Sequence, residues 1–204
     1  MGFSETSTLP FVELRERVYS QLFGECEGVS HELMPLVPHI DVYVYKPNSE
    51  RPFYTLISGG MSDLPMNLNK DVDPKCARAE VVLYVVKPEE RFIELVRYFA
   101  RYPHQWQTWF GFGHTVPNGG MPPQPLFDGA CLDTMLFMPT IIGADKQLSE
   151  KLIIESDPVN LLWAVPITSQ ERELKLESGM DALLSIFDKV KHPVVLNPKR
   201  KSYV

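Results

Sequence analysis

The sequence predicts an α+β domain in which helices pack on a mainly antiparallel mixed sheet. Three observations carry that reading. Period-two apolar segments and period-3.6 segments occur side by side along the chain. Several neighbouring strand-like segments are joined by connections shorter than the roughly dozen residues a parallel crossover takes. The 204 residues, 44% hydrophobic and 23% charged, suffice for one good core and lie outside the collagenous, fibrous and disordered ranges.

Phe11, Leu14, Val18 and Leu22 recur at helical spacing between Leu9 and Phe23, with Ser7 or Thr8 available as cap, Pro10 in the first turn and Gly24 past the end. An amphipathic helix is expected there. Ile40, Val42 and Val44 alternate with Asp41, Tyr43 and Tyr45 within Val37–Lys46, and the turn Pro47-Asn48-Ser49 leads into the run Phe53–Ile57, the pattern of a hairpin. Ala77–Val86 is apolar without alternation from Val81 onward, which places it mid-sheet. Pro88 opens a second helix carrying the stripe Phe92, Leu95, Val96 and Phe99, with Glu89, Glu90 and Glu94 near its positive end and Pro103 expected to stop or kink it. Leu132–Met138, Lys151–Glu155 and Asn160–Ile167 read as further strands. Thr168-Ser-Gln-Glu171 has the form of a capping box, and Gly179 separates the helix it opens from another over Met180–Val190. No fixed-period repeat divides the chain. Residues 1–192 are expected to form one domain and residues 193–204 a basic, flexible tail.

The net charge of −6 is unevenly spread: five of the 20 basic residues and none of the 26 acids lie in Lys189–Val204, leaving −11 on the rest. Such a body repels phosphate backbones, so nucleic acid is disfavoured as a partner. The longest apolar run, Val81–Val86, has six residues against the roughly 20 of a membrane-crossing helix. Met1–Pro10 lacks the basic and apolar regions of a secretion signal, so a cytoplasmic location is expected. Cys26, Cys76 and Cys131 match no zinc spacing and leave an odd thiol in any disulfide scheme.

No catalytic constellation emerges, and neither metal nor cofactor is expected. His31, His39, His104, His114 and His192 include no pair four apart, as a helical zinc site needs. Cys131, His114 and Asp128 are suitable types for a thiol catalyst, but no strand-to-helix elbow presents the cysteine. Ser58-Gly59-Gly60 lacks the lysine of a phosphate loop. Tyr98–His114 holds seven aromatic residues and two histidines, a density that suits either a core stripe or the anchors of an interface.

The run Thr55-Leu-Ile-Ser-Gly-Gly-Met-Ser-Asp63-Leu-Pro-Met66, followed by Arg78-Ala-Glu80-Val-Val-Leu-Tyr84, resembles the Suppressor of fused family domain. That domain shows a strand ending in a threonine, serine, glycine, methionine, serine and aspartate run and then an arginine-alanine-glutamate strand. Trp106 and Trp109, His114 with Pro117-Asn118-Gly119, Met135-Leu136-Phe137, and Val165-Pro166-Ile167-Thr168 with Glu171 continue the likeness, which spans about Leu9–Val190.

The resemblance implies a Suppressor-of-fused-like sandwich and a non-enzymatic, protein-binding role. Animal members sequester zinc-finger transcription factors by taking a peptide as a strand between two lobes; bacterial relatives are often single domains, many regarded as immunity proteins against toxins. This chain is too short for the second lobe, and Pro139-Thr140 stands where an acid would grip a basic peptide. The expectation is therefore a bacterial-type binder of a protein partner, a toxin or a regulator, drawn by its basic charge to an acidic surface beside the aromatic segment and the strand Leu132–Met138. A regulatory binder of a transcription-factor peptide is the alternative, and a hydrolase using Cys131 and His114 the third reading. The partner-binding candidates are Trp106, Trp109, His114, Met135, Phe137 and Thr140. Ser58, Gly60, Met61, Ser62, Asp63, Pro65, Met66, Arg78 and Glu80 form the family motif, with Asp63, Arg78 and Glu80 as a buried ion pair and turn brace or part of a recognition site.

Overall fold

Helix α1 (Phe11–Phe23) lays Val18, Tyr19 and Phe23 against the sheet and buries Arg15 with them. The computed structural model describes residues 10–34 and 36–204, so Leu9 and the candidate caps Ser7 and Thr8 lie outside it. Strands β1 (Cys26–Ser30), β2 (Asp41–Tyr45), β3 (Tyr54–Gly59) and β4 (Arg78–Val85) follow as an antiparallel meander. The expected hairpin is β2 with β3, in the register Val42↔Ser58 and Val44↔Leu56.

β4 is central, as its apolar run predicts: all eight residues are buried, and its second neighbour is β8 (Asp157–Ile167), running parallel with Val81 opposite Leu162. Beyond β8 come β6 (Thr134–Pro139) and then β5 (Thr115–Pro117), both antiparallel, giving the order β1-β2-β3-β4-β8-β6-β5, with β7 (Ile153–Ile154) pairing the start of β8. Alternation along the strands divides two apolar layers. Val81, Leu83, Met135 and Phe137 meet α2 (Glu90–Gln105) on one face, whereas Val82, Tyr84, Leu136 and Trp163 meet α1, α3 (Leu148–Lys151) and α5 (Met180–Val190) on the other. α4 (Ser169–Ser178) starts at Thr168, whose hydroxyl accepts from the Glu171 amide while Glu171 accepts from the Thr168 amide. The mixed, mainly antiparallel α+β architecture agrees with the sequence.

Four local expectations change. Pro103 lies inside α2, which continues to Gln105, because so near the helix end the ring forfeits a single backbone bond. Of Lys151–Glu155 only Ile153 and Ile154 form a strand, since Glu155 and Ser156 adopt positive φ (51° and 77°) and turn the chain straight back onto β8. β1 and β5 are additional strands in segments without alternation. The C-terminal stretch, expected to trail free, is packed: Leu196 donates to the Tyr84 carbonyl at 2.8 Å, and Arg200 is 8% exposed. Its physical reason is Glu171, whose carboxylate the capping box buries and which needs a countercharge.

Candidate functional site

The family motif folds as a brace around one carboxylate. β3 ends at Gly59, and Gly60 turns the chain at φ 115° with its Cα so close to the preceding loop that a Cβ would lie 1.9 Å from the His39 carbonyl oxygen. A short 3-10 turn, Met61–Asp63, follows. Glu80, fully buried on β4, accepts from the Ser58 hydroxyl (2.6 Å), the Ser62 hydroxyl (2.6 Å) and the amides of Gly60 (3.0 Å) and Ser62 (3.1 Å). Arg15 of α1 stands 3.6 Å from Glu80 through Nε and pairs with Asp63 through its terminal nitrogen. Burial pushes the carboxyls of Glu80 and Asp63 up, against the pull of Arg15 on both.

Arg78 pairs with neither Asp63 nor Glu80. Its guanidinium donates to the carbonyls of Ser62 (2.8 Å) and Asp63 (3.1 Å) and pairs with Glu155 and, at 3.4 Å, Asp157. With four donors on Glu80 and Met61 and Met66 buried, this motif is committed internally; of its residues only Leu64 and Pro65 are exposed. Arg15 escapes the sequence reading because the helix pattern registers apolar spacing and gives no sign that one cation shares the buried face.

A second constellation lies at the sheet edge. Among the described residues β5 has no outer neighbour. Phe137 donates to the His114 carbonyl at 2.9 Å and Asn118 to the Asp133 carbonyl at 2.8 Å, so residues 114, 116 and 118 face β6 and the N–H and C=O of Thr115 point outward. Pro117 has no N–H to offer, so Thr115 supplies the one outward donor of β5. Beside it opens a cleft of about 530 Å³ lined by Tyr102, Trp106, Trp109, His114, Thr115 and Lys175 among others. Trp106 is 60% exposed, and its ring begins an aromatic row that runs inward through Tyr102 (6.1 Å) and Phe110 (5.4 Å) to Phe137 (4.0 Å). Trp109 lies 4.3 Å from the His114 ring and rests against Gly111, which has no Cβ to push it away. Burial, and secondarily Lys175, holds the His114 imidazole below its ordinary range although the Trp109 carbonyl, 3.2 Å away, works the other way.

The structure therefore brings Trp106, Trp109 and His114 together on an accessible wall. It does not bring Met135, Phe137 and Thr140 there. Met135 and Phe137 are fully buried, because β6 is an interior strand between β5 and β8 with an apolar layer over each face. Thr140 is buried as well, its hydroxyl 2.8 Å from the Tyr84 hydroxyl and accepting from the Ile142 amide. A partner cannot touch Met135 or Phe137 without opening the core. Sequence reasoning missed Thr115 and Lys175, one hidden in a three-residue strand and the other on a polar helix whose contacts depend on tertiary packing.

Cys131 and His114 are not hydrogen-bonded to each other: the thiol donates to the Arg200 carbonyl at 3.1 Å, and His114 Nδ1 faces the Trp109 carbonyl. Cys26, Cys76 and Cys131 are free thiols. Among the described residues no group of three or more histidine, cysteine, aspartate or glutamate side chains could hold a metal ion, and no helix is long and apolar enough to cross a membrane.

The profile of the family described as Suppressor of fused protein (SUFU) matches residues 37–201. No curated protein sequence matches the chain. Among solved structures the chain is similar to a Suppressor of fused homolog from Neisseria gonorrhoeae, with TM-score 0.71 and 16% identity over 95% of this chain and 97% of that one. It is also similar to a chain of a Sufu-Fu complex, with TM-score 0.60 and 17% identity over 94% and 90% of the two chains. Drosophila Suppressor of Fused gives TM-score 0.55 at 16% identity, with 94% of this chain covering 50% of that one. Matched over most of its length and folded like these relatives, the chain belongs to the Suppressor of fused protein (SUFU) family.

Proposed function

We propose that the protein is a non-enzymatic binding domain that captures another protein at the open β5 edge and the aromatic cleft beside it. The observation that carries this reading is the pairing of one outward-facing backbone unit, Thr115, with an exposed tryptophan whose ring is continuous with the core. An edge strand offers main-chain hydrogen bonds to an extended segment. An aromatic anchor already held by its neighbours loses little freedom on contact. A solved structure of a relative is that of a Sufu-Fu complex, which supports a partner protein as the ligand class.

The finer reading is a cytoplasmic immunity protein that neutralises a toxin. It is supported by the likeness to the homolog from Neisseria gonorrhoeae, which this chain matches over 97% of that chain. The test is affinity capture from native-host lysate on the wild type, Trp106→Ala and Thr115→Pro, followed by direct binding of the captured protein. Thr115→Pro removes the outward N–H together with the threonine side chain, and proline is tolerated on an edge strand. Binding should weaken about tenfold or more in both variants at unchanged melting temperature. Equal binding by all three would refute the site, and growth arrest by the captured protein, relieved on co-expression, would identify a toxin.

A further inference from the structure

In a chain of net charge −6, the wall of the β5 cleft carries no carboxylate among the described residues; its ionisable groups are His114, Lys175 and a tyrosine. Lys175 is half-buried on α4 and makes no ion pair among the described residues. Arg172, one turn earlier and also half-buried, has an Nε sealed from water with no acceptor, and the two cations repel each other. No acid of α4 relieves them. Glu171 is committed to Arg200 at 2.7 Å through both oxygens, and Glu173 and Glu177, two positions either side of Lys175, lie on the opposite side of the helix. Uncompensated cations beside an aromatic wall gain when an anion arrives.

Building on the protein-binding reading, we propose that Lys175, left uncompensated beside Arg172, selects an acidic extended segment, one carboxylate of which meets Lys175 while its backbone pairs with Thr115. Side chains alternate along a strand. Trp106 follows α2 over one face of the sheet, and Lys175 belongs to α4, which packs with α5 over the other. The segment should therefore carry its acid and its apolar anchor on adjacent residues. The sign is opposite to the basic partner expected from net charge. The two are compatible, because the field of the acidic body is screened beyond about 8 Å at physiological salt, and contact is decided by the groups in the cleft.

The test is panning of a displayed random twelve-residue peptide library on the full chain, followed by fluorescence anisotropy of the enriched peptides on the wild type, Lys175→Glu, Lys175→Gln, Trp106→Ala and Thr115→Pro. The enriched sequences should share an acid next to an apolar residue. Lys175→Glu and replacement of that acid by lysine should each weaken binding about tenfold or more, and the lysine peptide should recover on Lys175→Glu. Lys175→Gln provides the charge loss should the reversal unfold α4. Peptides that lose binding on Thr115→Pro but carry no acid, or ignore both Lys175 variants, would overturn the acidic selection and leave the protein-binding reading standing. Peptides indifferent to Thr115→Pro and Trp106→Ala, or no enrichment at all, would overturn both.

Discussion

Arg200 and Glu171 form a two-pronged buried ion pair, each guanidinium nitrogen 2.7 Å from its own carboxylate oxygen, that locks the last residues of the chain to the first turn of α4. The same guanidinium donates to the Pro166 carbonyl at 2.8 Å and lies 4.5 Å over the Tyr203 ring. Arg200→Ala leaves Glu171 buried without a counterion, which typically costs about 3–5 kcal/mol. Urea unfolding should show a loss of that order, and a loss under about 1 kcal/mol would mean that the C-terminal stretch contributes no anchoring.

The pair also sets a pH dependence. Burial alone would raise the Glu171 carboxyl, but Arg200 and the Thr168 and Tyr203 amides hold it below its ordinary range. Burial, then Arg200, lowers His192 from 6.5 to about 4. Both groups stabilise the fold above their unfolded values and lose that contribution as pH falls, His192 between 6.5 and about 4. The raised carboxyls of Glu80 and Asp63 act oppositely, adding stability at low pH and losing it as pH rises through their folded values. The informative quantity is therefore a difference. His192→Phe, which keeps the stack on Phe187 at 4.3 Å, should be relatively more stable than wild type at pH 5 than at pH 7.5 in thermal melts, and parallel melting curves across that range would contradict it.

Gly60→Ala should destabilise by more than about 1 kcal/mol, because the added Cβ meets the His39 carbonyl at 1.9 Å and the residue sits at φ 115°. Backbone is the obstacle, so no rotamer change relieves it. Chemical denaturation checks this, and an unchanged midpoint would remove the backbone argument for the motif's second glycine.

The Glu155-Ser156 turn offers the opposite outcome. Two consecutive non-glycine residues hold φ 51° and 77°, the conformation in which hairpins favour Asn-Gly. Ser156→Gly should stabilise by about 0.5–1 kcal/mol, and the midpoint of unfolding should rise with the slope unchanged. A fall would show that the serine side chain supports the turn.

Much of the fold is legible in the sequence where local chemistry and tertiary role coincide. The apolar run Val81–Val86 says mid-sheet because a strand covered on both faces has no polar side, and Thr168 with Glu171 announces a helix start because the box satisfies its own donors. Arg15, Arg200 and Thr115 are illegible for the converse reason. Arg15 and Arg200 look like ordinary surface cations until Glu80 and Glu171 are seen to lack other countercharges, and Thr115 matters only because no strand among the described residues lies beyond β5. The site likewise divides: Trp106, Trp109 and His114 are found by aromatic density, whereas Met135 and Phe137 share that chemistry and are core.

Hydrogen–deuterium exchange of the protein alone and with its captured partner reads out the use of the β5 edge, since it reports which backbone amides a binding segment covers. New protection is expected to be confined to residues 102–118 and the face of α4 bearing Lys175, with the Thr115 amide among the most slowed. Protection at the β1 edge instead, with Thr115 exchanging as freely as in the unbound protein, would contradict it.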